Sequence, residues 1–255
     1  MRFAGILTML DVEAGLRNAV QHFWKTRAKQ HRKQGRSSGR RDAGTRGAVT
    51  GGKHADGFVR LIESVCEDAG LPAAEIHGRE KKSRLLPGYY RPAKEWDLVV
   101  TSRRDLVAVI EVKSQVGSFG NNFNNRVEEA LGNATDFWAA YRTGAYRPTQ
   151  KPWLGYLFML EETEMSTRPT KRQQLVHYPM NEEFQSLSYA SRYELVCLRL
   201  VREQLYDAAC FFVSNGRTGL RGDYHEPNTE IGITRFCIAL HARASAFSRL
   251  SLGQF

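Results

Sequence analysis

The stretch from residue 95 to 113 constrains this chain most. Residues 95–101 and 106–113 both read as strands, each short and rich in β-branched and aliphatic residues, with a turn over 102–105 between them. A turn centred on Arg104 sets Asp97 directly opposite Glu111, with β-carbons roughly 4.5–5.5 Å apart. Glu111 and Lys113 are two apart, so both point to the face that carries Asp97, while Leu98, Val100, Ile110 and Val112 point the other way and can be core. Like charges opposed on a sheet repel. A divalent cation between them removes that penalty, and Mg²⁺ takes such oxygens, one or two carboxylates with waters and a backbone carbonyl, here that of Val112. A metal-held water is a usable nucleophile, and Lys113 can orient it, deprotonate it or neutralise charge on a phosphate. The chemistry indicated is phosphodiester hydrolysis. Glu80-Lys81-Lys82 also spells an acid-x-lysine triplet, but in a polar run with no apolar strand to hold it.

The rest of the chain reads as helices around that pair. An amphipathic helix is expected over 8–28, a second over 57–69 ended by Gly70 and Pro72, a third over 122–142, a fourth over 188–206 and a last over 231–247. Further strands are expected over 153–160 and 209–214. The expected architecture is one α/β domain of 255 residues. It divides into an N-terminal helix (8–28), a flexible basic arm (29–53), a catalytic core (55–160) and a C-terminal elaboration (161–255).

Charge points to the partner. The formal net charge is +10, and eight bases against the single acid Asp42 put +7 of it between Lys29 and Lys53. Such a balance suits a polyanion, nucleic acid before membrane. Rich also in Gly and Ser, the stretch reads as an unpacked arm whose Arg36, Arg40 and Arg41 would contact phosphates. No apolar run reaches the roughly 18 residues of a membrane span, and the first ten residues do not read as a signal peptide, so the expected location is cytoplasmic. Cys66, Cys197, Cys210 and Cys237 form no CxxC pair and read as reduced core thiols.

Several motifs together resemble the XhoI family of Type II restriction endonucleases, within the PD-(D/E)xK nucleases. They are Gly51-Gly52 with Asp56-Gly57-Phe58, Leu86-Pro87-Gly88-Tyr89-Tyr90-Arg91-Pro92, Trp96-Asp97, and Glu111-Val112-Lys113-Ser114. The longest is Phe119-Gly120-Asn121-Asn122-Phe123-Asn124-Asn125-Arg126, continuing to Glu128-Glu129-Ala130, and Arg192-Tyr193-Glu194-Val196-Cys197 adds a weaker match. The resemblance implies a PD-(D/E)xK restriction-endonuclease-like core, a mixed sheet flanked by helices, with extra helices at both ends. It implies a homodimer cutting double-stranded DNA at the palindrome CTCGAG, or a site containing it, with Mg²⁺, and a cognate DNA methyltransferase in the same system. Asp97, Glu111 and Lys113 take the catalytic roles by that likeness. Trp96 stands where the general motif has proline, though Trp-Asp agrees with the narrower family, and the resemblance does not extend to the basic arm Lys29 to Arg46.

Other residues read two ways. Glu63, on the helix before the sheet, is a further metal ligand or a solvated helix charge; Asp56 reads as that helix's cap. Asn121, Asn122, Asn124, Asn125 and Arg126 suit base edges in the major groove, or are turn and cap residues. Tyr89, Tyr90 and Arg91 approach DNA, or decorate a plain Pro-Gly turn. A repair nuclease or junction resolvase of the same fold, and a non-catalytic DNA-binding regulator, are the alternatives to a restriction enzyme.

Overall fold

Strands β6 (Trp153–Glu161) and β7 (Ala208–Ser214) are nearly unbroken apolar runs. Such strands are buried on both faces and belong to a parallel arrangement covered by helices. The computed structural model, which describes residues 9–37, 53–103, 105–146, 150–171 and 174–251, bears this out. Its main sheet has the order β1-β4-β5-β6-β7, with β1 (Ile76–His77), β4 (Leu98–Ser102) and β5 (Asp105–Gln115) joined by antiparallel pairing and β5, β6 and β7 parallel. A separate hairpin pairs β2 (Leu85–Pro87) with β3 (Ala93–Glu95). The molecule is thus mixed α/β.

Two apolar cores sandwich the sheet. On one face Leu98, Val100, Ile110, Val112, Leu157 and Phe212 meet helices α1 (Met9–Ser37), α2 (Asp56–Asp68) and α6 (Ile233–Ser251). On the other, Val99, Val109, Tyr156, Phe158 and Phe211 meet α3 (Phe119–Arg142) and α5 (Tyr189–Arg202); the short α4 (Glu164–Thr167) follows β6. The hairpin register pairs Leu98 with Ile110 and Val100 with Ala108, as a turn centred on Arg104 requires. It then slips, Thr101 pairing with Leu106. Val107 is therefore the extra residue of a bulge, and both Val107 and Ala108 enter the same core.

Three expectations need correction. Helix α1 does not stop at residue 28 but runs to Ser37, so the first third of the supposed flexible arm, Arg36 included, is helical. The physical reason is that Lys, Gln and Arg are good helix formers, and nothing before Gly35 opposes continuation. Arg40 and Arg41 lie outside the described residues. Second, the boundary at residue 160 cuts through the sheet: β7 is its fifth strand, and α5 and α6 cover its two faces, so these elements beyond 160 belong to the core. Third, Asp56 is the first residue of α2 and not its cap; Ala55 holds that position without a side-chain bond. In the first turn Asp56 still complements the helix dipole. All four cysteines are buried free thiols. No helix among the described residues is long and apolar enough to cross a membrane.

Candidate active site

Trp96 builds the site from behind. It is 2% exposed and packs edge-on against Phe137 of α3, centroids 5.6 Å apart. This fixes the entry to β4, and the next residue, Asp97, faces β5, where its Oδ2 accepts the Val112 N–H at 2.8 Å. In a strand a residue's N–H and C=O point to the same side, so the Val112 carbonyl also faces the Asp97 edge. Continuing the register by one residue beyond Leu98–Ile110 sets Asp97 against Glu111.

Glu111 is 1% exposed and held by two lysines. Lys94 of β3 brings its Nζ within 2.9 Å of Oε2, and Lys113 contacts Oε1. Asn133 of α3 donates its Nδ2 to Oε1 at 3.5 Å. The Lys94 ammonium also lies 4.4 Å above the Trp96 ring, which gives this mostly buried cation a second favourable contact.

Burial alone would neutralise Glu111, but Lys113 and Lys94 outweigh it and hold its carboxyl below the ordinary range. Burial, and then the Glu111 charge, push Asp97 up to about 6. Burial works against the charge on Lys113, yet Glu111 and Asp97 prevail and raise its pKa. Lys113 is therefore an ammonium at neutral pH. Its pairing with the two carboxylates favours that charged form.

A cleft of about 520 Å³ opens beside Asp97. Lys53, Arg60, Arg79 and Arg84 give it positive walls; Asp56 and Glu63 share the lining. Arg84 is tied down, donating to the Trp96 carbonyl at 2.8 Å and to Glu95 at 2.6 Å. Gly78 packs so closely on Glu63 and Val59 that a Cβ there would collide with both, so it shapes the cleft wall. Glu63 is half-buried, and burial raises its carboxyl, partly relieved by Arg79. Among the described residues no three His, Cys, Asp or Glu side chains converge as metal ligands. Glu63 thus faces the cleft of Asp97 without joining Asp97 and Glu111 around one ion. Two carboxylates plus the Val112 carbonyl and water remain a suitable donor set for Mg²⁺, which usually takes one or two carboxylates and keeps its waters.

The Asn-rich block occupies the first turns of α3. Gly117 (φ +69) and Ser118 (φ 47) turn the chain left-handed out of β5, and the Gly117 N–H is held by Glu161 at 2.9 Å. Asn121, Asn124 and Asn125 are exposed, while Asn122 donates to the Ser118 carbonyl at 3.1 Å and Arg126 pairs with Glu129. Asn125 precedes Asn133 by eight residues, about 12 Å along the helix. One rigid helix therefore spans from the block to the Glu111 contact. Tyr90 is 71% exposed and Tyr89 packs edge-on against it, but Arg91 is engaged internally by Asp136. The Glu80 triplet sits on an exposed turn and not on a strand.

The sequence reading missed Lys94, Asn133 and Asp136. Lys94 carries no signal, being one lysine in a charged run. Asn133 and Asp136 do: they are polar residues three apart within the apolar stripe Ala130, Ala134 and Phe137, and both are buried.

Over residues 33–226 the sequence matches the family described as restriction endonuclease XhoI. The chain belongs to the XhoI family of restriction endonucleases. It is, accordingly, a site-specific deoxyribonuclease acting on double-stranded DNA. Among its relatives is the Type II restriction enzyme BstVI of Geobacillus stearothermophilus, 44% identical over 206 residues, covering 78% of this chain and 91% of that one. The Type II restriction enzyme XhoI of Xanthomonas vasicola is 40% identical over 197 residues, covering 76% and 77%. The Type II restriction enzyme AbrI of Azospirillum brasilense is 46% identical over 164 residues, covering 64% and 72%. No solved structure matches the chain. The span matched to the XhoI family includes Asp97, Glu111, Lys113 and the whole Asn-rich block.

Proposed function

We propose that this XhoI-family member cuts both strands of DNA at a palindrome, CTCGAG or a site containing it, by Mg²⁺-dependent hydrolysis of the PD-(D/E)xK type. The observation that carries the reading is the Asp97–Glu111 pair, Glu111 buried and Asp97 partly so, with Lys113 beside it at the edge of a basic cleft. Asp97, Glu111 and the Val112 carbonyl would hold the Mg²⁺, with Glu63 a further acid on the cleft wall. When bound, the ion supplies charge neutralisation and a water of lowered pKa. The Lys113 ammonium faces the developing charge on the phosphate. Lys113 and Lys94 keep Glu111 ionised, and Asn133 helps to orient it.

A palindrome presents one reading problem twice about a two-fold axis, so the active form is a homodimer. Each copy offers Asn121, Asn124 and Asn125 to the major groove, with Tyr90 and the basic segment near Arg36, Arg40 and Arg41 on the backbone. A cognate methyltransferase protects the host's own copies of the site. Family membership sets aside the regulator without catalysis. The resolvase and repair readings predict cleavage without discrete fragments.

The test is digestion of a fully sequenced plasmid in magnesium, with the ends mapped. Discrete fragments ending at one palindrome are expected. Asp97→Ala, Glu111→Ala and Lys113→Ala are each expected to abolish cutting while the folded protein still binds DNA. Near-normal cutting by Glu111→Ala sinks the assignment.

A further inference from the structure

The 88–92 loop between β2 and β3 is latched to helix α3 more firmly than a hairpin needs. Asp136, 4% exposed, accepts the N–H groups of Tyr89 at 2.8 Å and Tyr90 at 2.7 Å, and the Arg91 Nε at 2.8 Å. The second arm of the Arg91 guanidinium donates to Asn133 Oδ1 at 2.9 Å. Asn133, 7% exposed, passes the contact on, its Nδ2 donating to Glu111 at 3.5 Å. The chain of contacts is thus loop, Arg91, Asn133, Glu111, with Asp136 clamping the loop end.

The chemistry of the middle position is restrictive. Arginine only donates and a carboxylate only accepts, so the residue between them must accept on one side and donate on the other. A side-chain amide does both, which also settles which way the Asn133 amide points. Burying the Asp136 carboxylate is costly without partners, and three donors from a single loop satisfy it. Room is tight: a Cβ on Gly88 would strike the Arg91 carbonyl and the Asp136 carboxylate. Outward, the same loop displays Tyr89 at 55% and Tyr90 at 71% exposure. Three residues after Arg91, Lys94 reaches Glu111 as well, so the hairpin grips that carboxylate at both oxygens through two routes.

We propose that Asn133 and Asp136 are positioning residues that couple the 88–92 loop, which the proposed function sets on DNA through Tyr90, to Glu111, so that docking on duplex DNA sets the orientation of the carboxylate. The inference rests on the reading of Glu111 as a catalytic carboxylate. Neither residue touches DNA; both act through Arg91 and Glu111.

The two halves of the relay separate by substitution. Asn133→Asp keeps an acceptor for Arg91 but removes the donor to Glu111. Arg91→Lys keeps the charge but cannot span Asp136 and Asn133 together. Asp136→Asn weakens the clamp on the loop. The full-length chain is assayed three ways: affinity for a CTCGAG duplex in calcium, single-turnover cleavage in magnesium at saturating enzyme, and thermal melting. For Asn133→Asp we expect affinity within about twofold of wild type and a cleavage rate lower by roughly tenfold or more, a loss confined to the reacting state. Asp136→Asn and Arg91→Lys are expected to lose both affinity and rate. A purely structural role lowers the melting temperature and leaves the folded enzyme's single-turnover rate unchanged, and that result overturns the proposal. If Asn133→Asp does not fold, Arg91→Lys carries the test, and a wild-type rate there overturns it equally. Glu111→Gln is run alongside. Wild-type cutting by Glu111→Gln defeats the site assignment itself, whereas a dead Glu111→Gln beside a wild-type Asn133→Asp defeats only the coupling.

Discussion

Asp97→Asn is expected to make the metal-free enzyme more stable while destroying its activity. Asp97 titrates at about 6 against an ordinary 3.8, raised by burial and by the neighbouring charge of Glu111. The sign follows from linkage. Between those two values the folded protein holds a proton that the unfolded chain has released, so folding is penalised as pH rises through this window. The penalty is absent below the ordinary value and fully present above about 6. A difference of about two pKa units corresponds to roughly 3 kcal/mol at 1.36 kcal/mol per unit. Asparagine removes the charge, keeps the shape, and retains a carbonyl oxygen for the Val112 N–H. We therefore expect a gain of about 2–3 kcal/mol at pH 8, or roughly 4–10 °C in Tm for a domain of this size. The gain should fall to roughly a few tenths of a kcal/mol near pH 4 and vanish below about pH 3. Saturating calcium should remove it too, because a cation bound by the wild-type carboxylates stabilises only the wild type. Thermal melts of both proteins across this pH range, with and without calcium, measure all three effects. A gain that is independent of pH, or no gain at pH 8, refutes the reasoning that a destabilised charge is stored at Asp97.

Lys94→Met removes one of the two cations on Glu111. Breaking a buried ion pair costs about 3–5 kcal/mol, and because Lys113 remains, a loss of roughly 2 kcal/mol without metal is expected, smaller in calcium; urea titrations in both conditions check it. Asn124→Ala and Asn125→Ala should each cost about 1–3 kcal/mol of preference for the cognate site if each makes a bidentate base contact, read by competition binding in calcium against one-base-changed duplexes. Unchanged discrimination in both variants would remove the block from the reading surface. Replacing Arg36, Arg40 and Arg41 by Ala should weaken binding to all duplexes alike and flatten the salt dependence by about 0.9 log units for each phosphate no longer neutralised, whereas an altered recognition sequence would show base reading by this segment.

The hairpin that carries Asp97, Glu111 and Lys113 was legible because everything that specifies it is local. Period-two patterning decides which residues share a face, and a short turn decides the register, so the facing of Asp97 and Glu111 and the same-face placement of Lys113 follow from residues 95–113 alone. The Asn-rich block was legible as a string. Helix α1 was under-read because its hydrophobic stripe ends near residue 28, while good helix formers carry the backbone on to Ser37. Only the tertiary structure decided where β7 joins the sheet, since an apolar run marks a strand buried on both faces but does not name its parallel partner, which lies far away in sequence. It alone brought Lys94 and Asn133 to Glu111. The two arrive from a neighbouring hairpin and from the helix crossing the sheet, and their approach depends on Trp96 packing against Phe137. The charge states of the site followed the same division. The sequence shows two acids and a lysine side by side, but which acid stays ionised depends on burial and on a second lysine, and both are set by how the elements pack.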